Sequence, residues 1–147
     1  MRLFLALEIP FQYEPTLLSL PSGQYLPDFF LPDWQTWVEV KPFWKIDPRH
    51  KEAAIKTGKP LIVLYGDIPT AYEVRQPVKY ARLGVYKRWN PDGTLTHNIR
   101  WGLDKDGQPV LQPNARMTDA PKLLKAFSYA RDYSFPRSKI INKKTNA

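Results

Sequence analysis

The stretch from Tyr25 to Tyr65 constrains the fold more than any other part of this chain. Phe29-Phe30-Leu31, Pro32-Asp33-Trp34-Gln35 and Thr36-Trp37-Val38 read as strand, tight connection and strand. A connection centred on Asp33-Trp34 sets Asp28 opposite Glu39 and Phe29 opposite Val38. Side chains alternate faces along a strand, so Glu39 and Lys41 share a face with Asp28. The opposite face receives Phe29, Leu31, Val38 and Val40 and is expected to meet the core. Asp47-Pro48 then supplies an N-cap followed by proline at the first helical position. The helix is expected over Arg49 to Thr57, with Ala53, Ala54 and Ile55 available to pack, and Gly58 ends it. Lys59-Pro60 leads into Leu61-Ile-Val-Leu-Tyr65, a continuous apolar run typical of a strand buried on both faces, and Gly66-Asp67 stops it. Strand, crossover helix and strand imply a parallel pair with a right-handed crossover.

Beyond residue 70 the pattern changes. Tyr80 to Trp89 and Thr94 to Trp101 flank the turn signal Asn90-Pro-Asp-Gly93, and Asp104-Lys-Asp-Gly107 precedes Pro109 to Gln112. This reads as an antiparallel meander over 70–117. Thr118 or Asp119 is expected to cap a last helix over 118–133, with Leu123, Leu124, Phe127 and Ala130 on one face. The start, Met1 to Pro10, has a short apolar run broken by Glu8, too short to span a membrane and without a small-residue cleavage site. It reads as a helix or strand of the fold. The expectation is one α/β domain over 1–133, a mixed sheet with flanking helices and an antiparallel extension, followed by a flexible tail over 134–147.

Charge points to the class of partner. The chain of 147 residues has net charge +8 and an aromatic fraction of 14%. Arg137, Lys139, Lys143 and Lys144 give the tail half of that charge, with no acid among them. A basic chain suits a polyanion, most often nucleic acid, although a merely soluble basic protein has the same composition. Trp34, Trp37, Trp44, Trp89, Trp101, Tyr80 and Tyr86 interleave with Arg82, Lys87, Arg88 and Arg100. Such a set grips nucleic acid by stacking and phosphate contact, or it is ordinary core; both readings stand. Cysteine is absent, which removes disulfides and thiolate metal sites and fits a reducing cytoplasm. Neither phosphate-loop glycine pattern is present, nor a nucleophile elbow.

Asp28 and Glu39 carry the chemistry. Like charges across a ladder are destabilising, and a cation between them relieves the repulsion. Two carboxylates and a carbonyl suit Mg²⁺, a hard ion that keeps several waters. An adjacent ammonium, here Lys41, steers water or neutralises phosphoryl charge. The plainer reading makes Asp28 a turn residue after Pro27, and Glu39 and Lys41 a solvated strand face. Glu14 is an accessory candidate, though Glu-Pro at a strand end is also structural. Asp67 reads as a turn residue. His50 reads as a helix-surface histidine, with phosphate contact as the alternative, and His97 has no evident chemical role. Two widely spaced histidines make zinc a poor fit.

Tyr13-Glu14-Pro15, Tyr25-Leu-Pro-Asp-Phe-Phe-Leu-Pro32, Trp37-Val-Glu-Val-Lys41 and Gly58-Lys-Pro-Leu-Ile-Val-Leu-Tyr-Gly-Asp-Ile-Pro69 together resemble the PD-(D/E)XK nuclease superfamily. The likeness is to phage and prophage nucleases and to endonuclease I-like Holliday-junction resolvases. It covers residues 11–69 and returns weakly in Ala126 to Phe135. The resemblance implies a restriction-endonuclease-like fold and metal-dependent hydrolysis of DNA phosphodiesters with Mg²⁺ or Mn²⁺. Asp28, Glu39 and the Val40 carbonyl would be metal ligands and Lys41 the catalytic lysine. It also implies a cytoplasmic phage or prophage protein in a bacterial host, and by analogy a homodimer. Related proteins carry a further acidic residue on a helix before the Tyr-Glu-Pro segment. Glu8 lies nearer Tyr13 than that acid and is not assigned its role. The expectation is therefore impaired or Mn²⁺-favoured activity, unless Glu14 or a second subunit supplies a third carboxylate. The alternative is a nuclease-fold module that binds nucleic acid or a protein partner without cutting, or a structural phage protein.

Overall fold

The computed structural model describes residues 1–113 and 121–132. Helix α1 spans Arg2–Ala6 and strand β1 Gln12–Tyr13. A small hairpin follows, β2 (Leu18–Leu20) and β3 (Gly23–Tyr25). Strands β4 (Phe29–Leu31) and β5 (Thr36–Lys41) form the expected hairpin, with Phe29 opposite Val38 and Leu31 opposite Thr36. Helix α2 (Pro48–Thr57) crosses to β6 (Leu61–Tyr65), which runs parallel to β5 and pairs Glu39 with Val63. Helix α3 (Ala71–Arg75) precedes the meander β7 (Tyr86–Trp89), β8 (Leu95–Leu103) and β9 (Pro109–Pro113), and α4 covers Pro121–Asp132. The main sheet has seven strands in the order β1-β4-β5-β6-β7-β8-β9. The β5–β6 pair is its parallel step; the meander continues the sheet from β6 with antiparallel pairs.

Local chemistry accounts for these boundaries. Asp47 caps α2, accepting from the Arg49 N–H at 3.0 Å, and Pro48 takes the position whose N–H has no helical partner. Gly58 closes the helix at φ 68°, a left-handed conformation that disfavours a β-carbon. In the β7–β8 turn, Asn90 N–H donates to the Thr94 carbonyl at 2.8 Å and Asp92 accepts from Thr94 N–H at 2.9 Å. Strand β7 is shorter than expected, starting at Tyr86 rather than Tyr80. The preceding backbone is held by the buried Glu73 carboxylate, which accepts from Arg82 N–H at 2.8 Å and so draws it off the sheet. The start of the predicted last helix, at Thr118 or Asp119, and the basic tail lie outside the described residues.

Both faces of the sheet are covered. On one, α1 and α4 pack Leu3, Phe4, Leu7, Leu123 and Phe127 against Phe29, Leu31, Val38, Ile62, Ile99 and Trp101. On the other, α2 and the β2–β3 hairpin pack Ala53, Ala54, Leu20 and Tyr25 against Trp37, Leu61 and Val63. Full burial of one such large apolar side chain stabilises by roughly 1.5–3 kcal/mol. The hairpin is tied to α2 by Ser22, whose N–H and hydroxyl both donate to Glu52, and by Lys56 donating to the Ser19 carbonyl at 2.6 Å. Val40 departs from expectation. It is 48% exposed, because the apolar layer over that face ends before β5 does. Among the described residues no helix is long and apolar enough to cross a membrane.

Candidate active site

The site forms where the C-terminal end of β5 meets the first turn of α2, outside the carboxyl ends of the parallel pair. Sheets of this kind commonly bind ligands there. Glu39 is 4% exposed, and a buried carboxylate requires donors. It has three. Tyr25 hydroxyl donates to Oε1 at 2.8 Å, the Asp28 N–H reaches Oε1 at 3.2 Å, and Lys41 Nζ lies 3.1 Å from Oε2. Burial, and next the Glu39 charge, push the Tyr25 phenol far above its usual range, so it stays a donor.

Asp28 and Glu39 are joined reciprocally across the hairpin. While Asp28 N–H donates to Glu39, Asp28 Oδ2 accepts from the Val40 N–H at 2.8 Å. Each carboxylate thus anchors the backbone of the neighbouring segment. Glu14 arrives from the far side, its N–H donating to the Asp28 carbonyl at 2.8 Å, with φ 45° at its own backbone. Tyr13, next to it, has its phenol raised to about 12, first by burial and then by Glu14 and Asp28. Glu14 and Asp28 flank β1 and β4 and Glu39 lies in β5, so the three sit on neighbouring segments of the sheet, while the side chain of Glu14 is on the exposed surface.

Sequence reasoning missed the contribution of α2. His50 is 1% exposed rather than a helix-surface residue. Its spacing to Ala53, Ala54 and Thr57 is that of one helix face, and this face packs on the sheet. His50 Nε2 lies 4.0 Å from both Glu39 Oε2 and Asp47 Oδ2, beyond hydrogen-bond range, and neither ring nitrogen has a partner among the described residues. Burial drives the imidazole down to about 4, with Lys41 and Arg49 acting in the same direction against Asp47 and Asp28. Asp47 is held at about 2 by its hydrogen bonds from Arg49, at 3.1 Å and 2.7 Å. The Arg49 guanidinium also lies over the Tyr25 ring, 5.5 Å from its centroid.

Asp28, Glu39 and Lys41 are thus brought together. Asp67 is exposed at the end of β6 and His97 exposed on β8; neither joins them. Arg137, Lys139, Lys143 and Lys144 lie outside the described residues. Of the aromatic set, Trp37, Tyr86 and Trp101 are core, as is Arg100. Tyr80 is exposed, and Lys87 lies 5.1 Å from the Trp44 ring and 5.3 Å from that of Tyr65.

The donors suit a hard divalent ion in kind: two carboxylates on adjacent segments and a strand carbonyl, all oxygen. Glu39 Oε2 is shared with the ammonium of a partly exposed lysine, which can withdraw to solvent. Among the described residues no group of three or more His, Cys, Asp or Glu is arranged to hold a metal. A cation here would have two carboxylate ligands and complete its shell with water. Comparison with protein-family models, with curated proteins and with solved structures found no match.

Proposed function

We propose that this chain is a divalent-cation-dependent DNA endonuclease. The observation that carries the reading is the reciprocal Asp28–Glu39 pairing with Lys41 Nζ at 3.1 Å from Glu39. Asp28 and Glu39, with the Val40 carbonyl, would hold the cation, which would supply Lewis acidity and lower the pKa of a coordinated water. Tyr25 fixes the rotamer of Glu39 by donating to Oε1 and leaves Oε2 for the cation. Lys41 leaves Oε2 for the phosphoryl group, where its charge is worth most as negative charge develops. The net charge of +8 supports a polyanionic substrate. The fold is α/β with a mixed sheet; its assignment as restriction-endonuclease-like belongs to this proposal.

A specific observation favours a second reading, a module that binds nucleic acid without cutting. Glu39 is already satisfied by three protein donors, so the fold is complete without a cation. Incubating the chain with branched, single-stranded and duplex DNA in Mg²⁺, Mn²⁺ or EDTA separates the two. Cleavage that EDTA abolishes supports the nuclease; retention of DNA with no cut product under any cation supports the module.

A further inference from the structure

A half-open cleft of about 370 Å³ lies beside the carboxylates, and Lys41, Phe43, Lys45, Ile46, Asp47 and His50 line it. Its rim is apolar and exposed: Phe43 is 64% and Ile46 67% accessible. Lys41 and Lys45 supply positive charge, and His50 lies buried beneath them, its ring nitrogens closed off from solvent.

The composition of the cleft decides what completes it. A bare phosphate needs cations but not a solvent-facing phenyl ring. An apolar peptide would cover Phe43 and Ile46 but make no use of the Lys41 and Lys45 ammonium groups. A nucleotide matches the accessible elements: the base stacks on Phe43 and the lysines meet phosphate. The volume falls in the range of small-ligand sites, roughly 300–1,000 Å³. Bases inside a duplex are stacked away from such a cleft; an unpaired one is not.

We propose that this cleft receives an unpaired nucleotide next to the cleaved phosphate, so that the substrate is single-stranded DNA; this rests on the nuclease reading above. Phe43 is the stacking residue, and its exposure makes Phe43→Ala safe for the fold. The test uses the full chain in EDTA with a single-stranded oligonucleotide carrying 2-aminopurine, and with the same strand annealed to its complement, read by fluorescence and anisotropy. Single-strand binding should exceed duplex binding, quench the probe, and weaken roughly 5- to 150-fold in Phe43→Ala while duplex affinity stays unchanged. Equal single-strand affinity for wild type and Phe43→Ala, or no preference for the single strand, overturns the proposal. Adding Mg²⁺ or Mn²⁺ to the same complexes afterwards separates the outcomes. A Phe43-dependent single-strand complex that is never cut sustains the subsite while the nuclease reading fails. Cutting of duplex with no dependence on Phe43 does the reverse.

Discussion

Acidifying the protein should destabilise it through His50. The imidazole is buried, and its folded-state value sits near 4 against an ordinary 6.5. A depressed value means the unfolded chain binds the proton more readily, so stability is complete above about pH 6.5 and is lost as pH falls toward 4. The shift corresponds to about 3 kcal/mol over that window, with a slope that does not exceed about 1.4 kcal/mol per pH unit. Domains of this size have a net stability of roughly 5–15 kcal/mol, so the loss is large but not fatal. Other carboxylates titrate in the lower half of the window, and a single curve does not separate them. Asp47 does not interfere, since Arg49 keeps it ionised down to about pH 2. The clean comparison is with His50→Phe, which keeps a ring beside Tyr25 and removes the titrating group. Urea unfolding followed by tryptophan fluorescence, at intervals from pH 7.5 to 4, gives both curves. The difference should move by about 3 kcal/mol in favour of the phenylalanine variant as pH falls. A difference that stays constant with pH would refute the argument, because it would mean that the imidazole is not held neutral by burial.

The site and the basic tail yield three more expectations. Lys41→Ala should lower cleavage at least about 100-fold while circular dichroism and DNA affinity stay near wild type, since the ammonium acts on developing charge; wild-type cutting would remove it from the mechanism. Tyr25→Phe strips one donor from a buried carboxylate and should destabilise the fold by about 1–3 kcal/mol in urea at pH 7, whereas no change would show that Glu39 does not rely on it. Deleting residues 136–147 should weaken DNA binding and flatten the dependence of log affinity on log salt, by up to roughly 0.9 for each phosphate that the tail neutralises in the intact chain; an unaltered slope places the tail away from the interface.

The core of the fold was legible because its signals are local. Proline and tryptophan at the β4–β5 connection set the register, and Asp47-Pro48 and Gly58 bracketed α2. The apolar run at 61–65 announced a strand covered on both faces, with Leu61 and Val63 toward α2 and Ile62 toward α1 and α4. The β2–β3 hairpin was not legible, since strands of three residues carry too little alternation to distinguish them from loop. Nor was α3, five residues whose capping Thr70 is a weak signal alone. Val40 was misjudged because alternation tells which face a residue takes but not where the covering layer stops. At the site, Asp28, Glu39 and Lys41 could be placed from spacing. Tyr25 and His50 could not be recognised as their neighbours, because that depends on how a hairpin and a helix dock on the same sheet face. The alanines one turn from His50 were the overlooked clue: an i, i+3, i+4 face of His50, Ala53 and Ala54 is a packed face.

The proposed chemistry requires that Asp28 and Glu39 together hold one divalent cation, in competition with Lys41 for Glu39. Calorimetric titration of Mn²⁺ into the wild type and into Asp28→Asn, Glu39→Gln and Lys41→Ala tests it without any DNA. One site per chain is expected, at least tenfold weaker in each carboxylate variant and no weaker in Lys41→Ala, which frees Oε2. No binding by the wild type, or an affinity that Asp28→Asn and Glu39→Gln leave unchanged, would contradict it.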